Sequence, residues 1–350
     1  MGYVLQAAKG QYELISESIP VDEALEKGTL SEDEKTRIQM VERVKAFGEE
    51  MLGLSVTDNY TTVYLKSPQH AVYTISASPK DRLTRITWWF PIVGRMPYLG
   101  FFDRNKAAME AEALKKKDLD VALGEAKAYS TLGWFKDPLT KELLKGSAID
   151  LVDTILHEMT HTTIYLKGQG EFNEGLAVLV GRWGAAKFME FEYGFDHVLT
   201  HQARAAIGDE RVFSRFLNAV IDDLDSLYLS SLSYQEKLDG RERVFAEAKT
   251  AFETIAPCLH TNDFDYFKRL PLNNAVLMAI GLYHRYFDLF EAVLREHRYN
   301  IKETIRFLKQ LSRENEQTLP AVKQWLVDQK VFIQPSSECG SFTSVSDPSW

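Results

Sequence analysis

The sequence predicts an α+β fold: a small N-terminal β-sheet packed against a mostly helical remainder, with a cleft between the two. Three observations carry this. Runs rich in β-branched and aromatic residues are confined to residues 60–135. Beyond Pro138 the strand signals stop, and apolar residues recur at helical spacing. A chain of 350 residues with 45% hydrophobic and 12% aromatic content can bury a substantial core, which excludes a disordered chain.

Taken in order, Ile38, Val41, Val44, Phe47 and Leu52 recur at helical spacing, and Ser31 with Glu34 forms a capping box ahead of them. The strand-forming runs are 60–65, 71–75, 83–93 and 128–135, and the stretch 105–117, rich in Ala, Glu, Lys and Met, is expected to cross between strands as a helix. Helices are then expected over 149–166, 173–188, 195–206, 212–227, 235–255, 273–297 and 301–310. Lys167-Gly168-Gln169-Gly170, Gly208-Asp209, Pro257 and Pro271 punctuate them as loops. The chain thus divides into residues 1–140, residues 141–334 and a Ser-, Gly- and Pro-rich tail, 335–350.

The 50 acids and 41 bases, net charge −9, are spread along the chain, so charge favours solubility and excludes a basic nucleic-acid footprint. Cys258 and Cys339 lack metal-ligand spacing, and one pair of cysteines is compatible with a disulfide or with two thiols. No apolar run approaches the roughly 20 residues that span a bilayer, so no transmembrane segment is expected. The opening Met1-Gly2-Tyr3-Val4-Leu5 has neither the basic flank nor the apolar stretch of a signal peptide. Nothing in the pattern sets an oligomeric state.

The chemistry concentrates at His157-Glu158-Met159-Thr160-His161, inside the helical run 149–166. Residues four apart on a helix lie one turn above each other, so both imidazoles can bind one Zn²⁺. Glu158 is turned by about 100° around the axis. It can reach a water on the metal rather than the metal itself, the position of a general base. With 8 histidines in 350 residues, a chance match to this pattern has a probability on the order of one or two percent, and the competing reading is a helix with satisfied core histidines.

A hydrolytic zinc site needs a third protein ligand and one open position. A helix, a Gly-containing turn and a second antiparallel helix would return Glu174 to the two histidines. Glu174 shares a face with Ala177, Val178 and Gly181, a small apolar stripe suited to close packing, where a carboxylate is costly unless paired or metal-bound. Glu171 is expected to cap the second helix or face solvent.

The run Tyr129-Ser130-Thr131-Leu132-Gly133-Trp134-Phe135, then His157-Glu158-x-x-His161, then Phe172-Asn173-Glu174-Gly175 with Ala177, resembles the bacterial putative aminopeptidase family within the gluzincin clan of zinc peptidases. Gly2-Tyr3, Gln6-Ala7, Gly10-Gln11 and Trp89-Phe90-Pro91 with Gly94 extend the similarity over residues 1 to about 190. The resemblance implies a zincin-like helical body with the zinc helix pair at the cleft and one zinc per chain on His157, His161 and Glu174. It also implies Glu158 as base and acid, a peptide substrate and aminopeptidase action. Such relatives often carry an exported or lipoprotein leader, which leans towards the cell envelope, with a cytoplasmic location as the alternative. One departure is Val178: thermolysin-like relatives have a histidine-orienting carboxylate there, so a backbone carbonyl or a distant acid must serve instead.

Peptide substrates of such enzymes lie along a sheet edge, and Thr131, Leu132 and Gly133 could supply it, with an ordinary buried strand as the competing reading. Tyr283, or its neighbour His284, is the candidate donor to the developing oxyanion, although an aromatic cluster at helical spacing also reads as core. His197 and His201, also four apart, have no glutamate following the first and read as surface or core residues. The 188–195 segment, dense in Phe, Tyr and Glu, reads as a packed joint between helices, or else as cleft lining. The leading reading is a zinc aminopeptidase. Alternatives are a zinc endopeptidase of the same clan and a metal-binding scaffold without turnover, which an intact Glu158 argues against.

Overall fold

The structure, a computed structural model, describes residues 15–28, 30–65, 72–90, 94–126 and 137–331. Strand β1 (Ile19–Pro20) leads into helices α1 (Val21–Glu26) and α2 (Glu32–Glu50). The capping box of Ser31 and Glu34 forms as expected, and Ile38, Val41, Val44 and Phe47 line the buried face of α2. Strand β2 (Thr62–Tyr64) pairs antiparallel with β1 and parallel with a later strand, residues 139–140. A second sheet centres on β3 (Val72–Pro79), and β4 (Trp88–Phe90) with β5 (Gly94–Met96) makes a separate hairpin. β3 is flanked by β6 (Leu99–Phe101) and, after helix α3 (Arg104–Lys115), by β7 (Leu119–Ala126), both antiparallel. The β-region is therefore several small sheets, with α3 crossing between strands.

β7 escaped the propensity pattern because Asp120, Gly124 and Glu125 dilute it. An eight-residue ladder to β3 holds it, and buried Asp120 meets the Arg241 guanidinium at 2.7 Å. The run 128–135 lies outside the described residues.

Strand β8 (Leu139–Thr140) and α4 (Lys141–Lys145) precede the helix pair that matters for function, α5 (Ala148–Thr163) and α6 (Gly170–Tyr193). Ser147 and Asp150 cap α5 reciprocally. Leu151, Val152, Ile155, Leu156 and Met159 of α5 are fully buried with Ile38, Val41 and Val44 of α2 and Phe172, Leu176 and Leu179 of α6. Each such side chain contributes about 1.5–3 kcal/mol of burial, so the helix carrying the histidines is anchored by its apolar face.

Helix α7 (Val198–Leu229) runs through Gly208 and Asp209, where a loop was expected. Asp209 is buried, and its carboxylate accepts the backbone N–H groups of His260 (2.9 Å) and Thr261 (2.6 Å). A residue that reads locally as a turn former is thus used in a tertiary bond. Helix α8 (Tyr234–Ile255) follows as expected. The single helix expected over 273–297 is two, α9 (Asn274–His284) and α10 (Phe287–Glu296). Asn218 Nδ2 (2.9 Å) and Ser214 Oγ (3.4 Å) donate to the Arg285 carbonyl, drawing it from the helical ladder at the break. Helices α11 (Ile301–Glu314) and α12 (Thr318–Asp328) close the described chain. Among the described residues, no helix is long and apolar enough to cross a membrane.

Candidate metal centre

His157 and His161 lie one turn apart on α5, with their Nε2 atoms 3.2 Å from each other. Glu174 Oε2 of α6 approaches His157 Nε2 at 3.3 Å and His161 Nε2 at 3.5 Å. These distances decide between two explanations. A charge-assisted N–H···O bond closes to about 2.7–2.9 Å, shorter than either contact. Three donors around a tetrahedral ion with bonds of about 2.0–2.1 Å sit roughly 3.3 Å apart, which matches all three separations. His157, His161 and Glu174 can therefore hold a metal ion.

Glu174 is brought there by a clamp. Asn173 is buried, its Oδ1 accepts the Leu166 N–H at 2.8 Å, and its Nδ2 donates to the Leu166 carbonyl at 2.9 Å. The end of α5 is thereby tied to the first turn of α6, one residue before Glu174. Close packing further along depends on Gly181, where a Cβ would lie 2.0 Å from Asp153 Oδ1 and 2.9 Å from the Asp153 carbonyl oxygen. Ala177, Val178 and Gly181 are all buried, and Gly181 is where this face meets α5.

Electrostatics follow from this geometry. Burial opposes the charge on Glu174, yet the two imidazoles beside it hold its carboxyl far below the usual range. Burial likewise works against a charged His157, but Glu174, Glu158 and Asp153 outweigh it and raise its pKa. Asp153, one turn before His157, is the smallest of these influences, and no hydrogen bond joins it to the ring among the described residues. Arg182 of α6 holds Asp153 at 3.0 Å, and also reaches Glu210 at 3.3 Å and Asp263 at 2.9 Å.

Glu158 is buried beside the tripod, and its Oε2 meets no hydrogen-bond partner among the described residues. A buried carboxylate oxygen left so is costly, about 1–3 kcal/mol or more, unless a reacting group occupies its reach. His161 Nδ1 is likewise buried without a partner there.

Of the two oxyanion candidates, the fold separates one from the other. The Tyr283 ring lies over His157, with centroids 6.4 Å apart and planes 28° from parallel. The negative charge of Glu174 pushes its pKa well above the usual tyrosine value, so the phenol stays a proton donor. His284 points away, with Nδ1 2.5 Å from buried Glu210. His197 caps α7 and stacks on Tyr193 at 4.8 Å, and His201 is exposed. In the 188–195 segment Phe188 and Met189 are buried while Phe191 and Phe195 are exposed, so only its start is a packed joint. Thr131, Leu132 and Gly133 lie outside the described residues.

Glu171 neither caps α6 through its side chain nor faces open solvent. Its Oε1 pairs with Arg85 at 2.8 Å, on the wall of a cavity of about 610 Å³ that also includes Glu174. Arg85 comes from the region between β3 and β4, and no local pattern links it to α6.

Against known proteins, a family model described as "Putative aminopeptidase" matches residues 2–321. No curated protein and no solved structure matches the chain.

Proposed function

Because the chain belongs to the family described as putative aminopeptidase, we propose that it is a zinc-dependent peptide hydrolase, with aminopeptidase action as the leading form. The observation that carries this reading is the set of three donor atoms at 3.2–3.5 Å from one another beside a buried glutamate whose Oε2 has no partner among the described residues. Two imidazoles and one carboxylate suit zinc and leave room for a further ligand. Bound there, Zn²⁺ would supply Lewis acidity towards the peptide carbonyl and a lowered pKa of water.

The chain's own groups do the rest. His157, His161 and Glu174 would hold the ion, with Asn173 positioning Glu174. The Glu158 carboxylate takes the proton of the attacking water and passes it to the departing amine nitrogen. The Tyr283 O–H donates to the carbonyl oxygen as it becomes negative. Arg182 of α6 pairs with Asp153 of α5 at 3.0 Å and so ties together the two helices that carry His157, His161 and Glu174.

The test joins metal content to turnover. The wild-type protein should carry about one zinc per chain, lost in His157→Ala, while Glu158→Gln should retain the metal and lose hydrolysis of amino-acid amides. Turnover persisting in Glu158→Gln would remove the hydrolase reading. Cleavage of free-amine amides but not of N-blocked peptides separates an aminopeptidase from an endopeptidase.

A further inference from the structure

The cavity beside Glu174 is lined by three cations, Arg85, Arg95 and Lys323, and by two acids, Glu171 and Glu174. Both acids are already engaged. Glu174 faces the two imidazoles, and Glu171 is matched by Arg85. Arg85 also donates to the Met278 carbonyl at 2.9 Å, while its Nε is buried without an acceptor among the described residues. Arg95 bonds the Thr87 hydroxyl at 3.2 Å, and the Lys323 ammonium sits 5.2 Å from the Tyr286 ring centroid. Neither has a carboxylate partner among the described residues. The first turn of α6, residues 170–173, adds to the wall, with no side-chain cap from Gln169 and, among the described residues, only the Asn173 amide engaged, by the Gln169 carbonyl, and its dipole carries the same sign. A divalent ion on the tripod would add further positive charge.

Such a cavity repels a cation and attracts an anion. Glu171 is therefore unsuited to seat a substrate's free amine, despite lying one turn from the metal ligand. At about 610 Å³ the space suits a residue or two of a peptide, and Leu282, Leu319 and Pro320 give it apolar walls.

We propose that this cavity is a carboxylate subsite, in which Arg95 and Lys323 at the mouth and the α6 amides within take a carboxylate of the substrate. The proposal rests on the peptide-hydrolase reading and narrows it. The carboxylate belongs either to an acidic side chain near the cleaved bond or to the free C-terminus of a short peptide.

Binding tests this without turnover, using zinc-loaded Glu158→Gln protein and calorimetric titration. Leu-Glu-amide is compared with Leu-Gln-amide for the side-chain carboxylate, and Leu-Leu with Leu-Leu-amide for the terminal one. In one of the pairs the carboxylate member should bind about tenfold tighter or more at low salt. The preference should shrink in 1 M salt and vanish in the doubly substituted R95Q/K323Q protein, whose changes are at exposed positions. The pair that shows it identifies the source. Equal binding within both pairs overturns the proposal. So does a preference that survives R95Q/K323Q, as direct coordination of the carboxylate by zinc would give. If the wild-type enzyme cleaves none of these peptides while the preference and its loss are observed, the aminopeptidase form of the reading falls and the subsite stands.

Discussion

Asn173→Ala should weaken the metal site through geometry alone, since Asn173 touches neither the histidines nor the glutamate's carboxylate. The side chain is 2% exposed and makes two hydrogen bonds, at 2.8 and 2.9 Å, to the backbone of Leu166. Each contributes about 1 kcal/mol net, so the metal-free protein should lose roughly 2 kcal/mol. Releasing the α5–α6 turn also frees the helix start that aims Glu174, and loss of a group supporting a ligand typically costs 10–100-fold in metal affinity. At fixed free zinc that removes a further 1.4–2.7 kcal/mol or so of metal-linked stability. Urea titrations with and without zinc, together with competition against a chromophoric chelator, measure both quantities. An equal loss in the two titrations, with zinc affinity unchanged, would show that Asn173 merely packs the turn, and the positioning argument would fail.

Three further outcomes are expected. Tyr283→Phe should retain zinc and lower kcat by roughly 100-fold or more with little change in KM, the signature of a donor acting in the transition state; a change confined to KM would assign the ring to substrate packing. Gly181→Ala places a methyl 2.9 Å from the Asp153 carbonyl oxygen, so α5 and α6 must part at a cost of about 1–3 kcal/mol, read from the denaturation midpoint, and an unchanged midpoint would contradict the close approach. Burial opposes ionisation of Glu210, but His284 and Arg182 keep its carboxyl below the ordinary range. Its contribution to stability is therefore present above about pH 4.3 and lost as pH falls through the lower folded value. Glu210→Gln should cost stability at pH 7 and flatten the acid-side fall in Tm. An equal deficit at pH 7 and pH 3 would refute this account.

Where local pattern failed, a tertiary partner had overridden it. Gly208-Asp209 reads as a turn, but Asp209 is needed inside α7 to bind the His260 and Thr261 amides. The apolar run 273–297 reads as one helix, but donors from α7 take the Arg285 carbonyl and divide it. Strand β7 has a weak intrinsic signal because its pairing with β3 and the Asp120–Arg241 ion pair, rather than its composition, hold it in place.

The histidine pair and Glu158 were legible from sequence because a helix converts a spacing of four into a shared face without help from the rest of the chain. Glu174 was nearly as legible, since a short turn and a stripe of small residues imply an antiparallel return. The surrounding chemistry was decided only by the tertiary structure. That Tyr283 faces His157 while His284 faces Glu210, that Arg182 of α6 pairs with Asp153 of α5, and that Arg85, Arg95 and Lys323 meet Glu171 around one cavity all depend on how separate elements dock. Side-chain direction and charge pairing across elements are set by how helices and strands dock, and no periodicity within a single element encodes that docking.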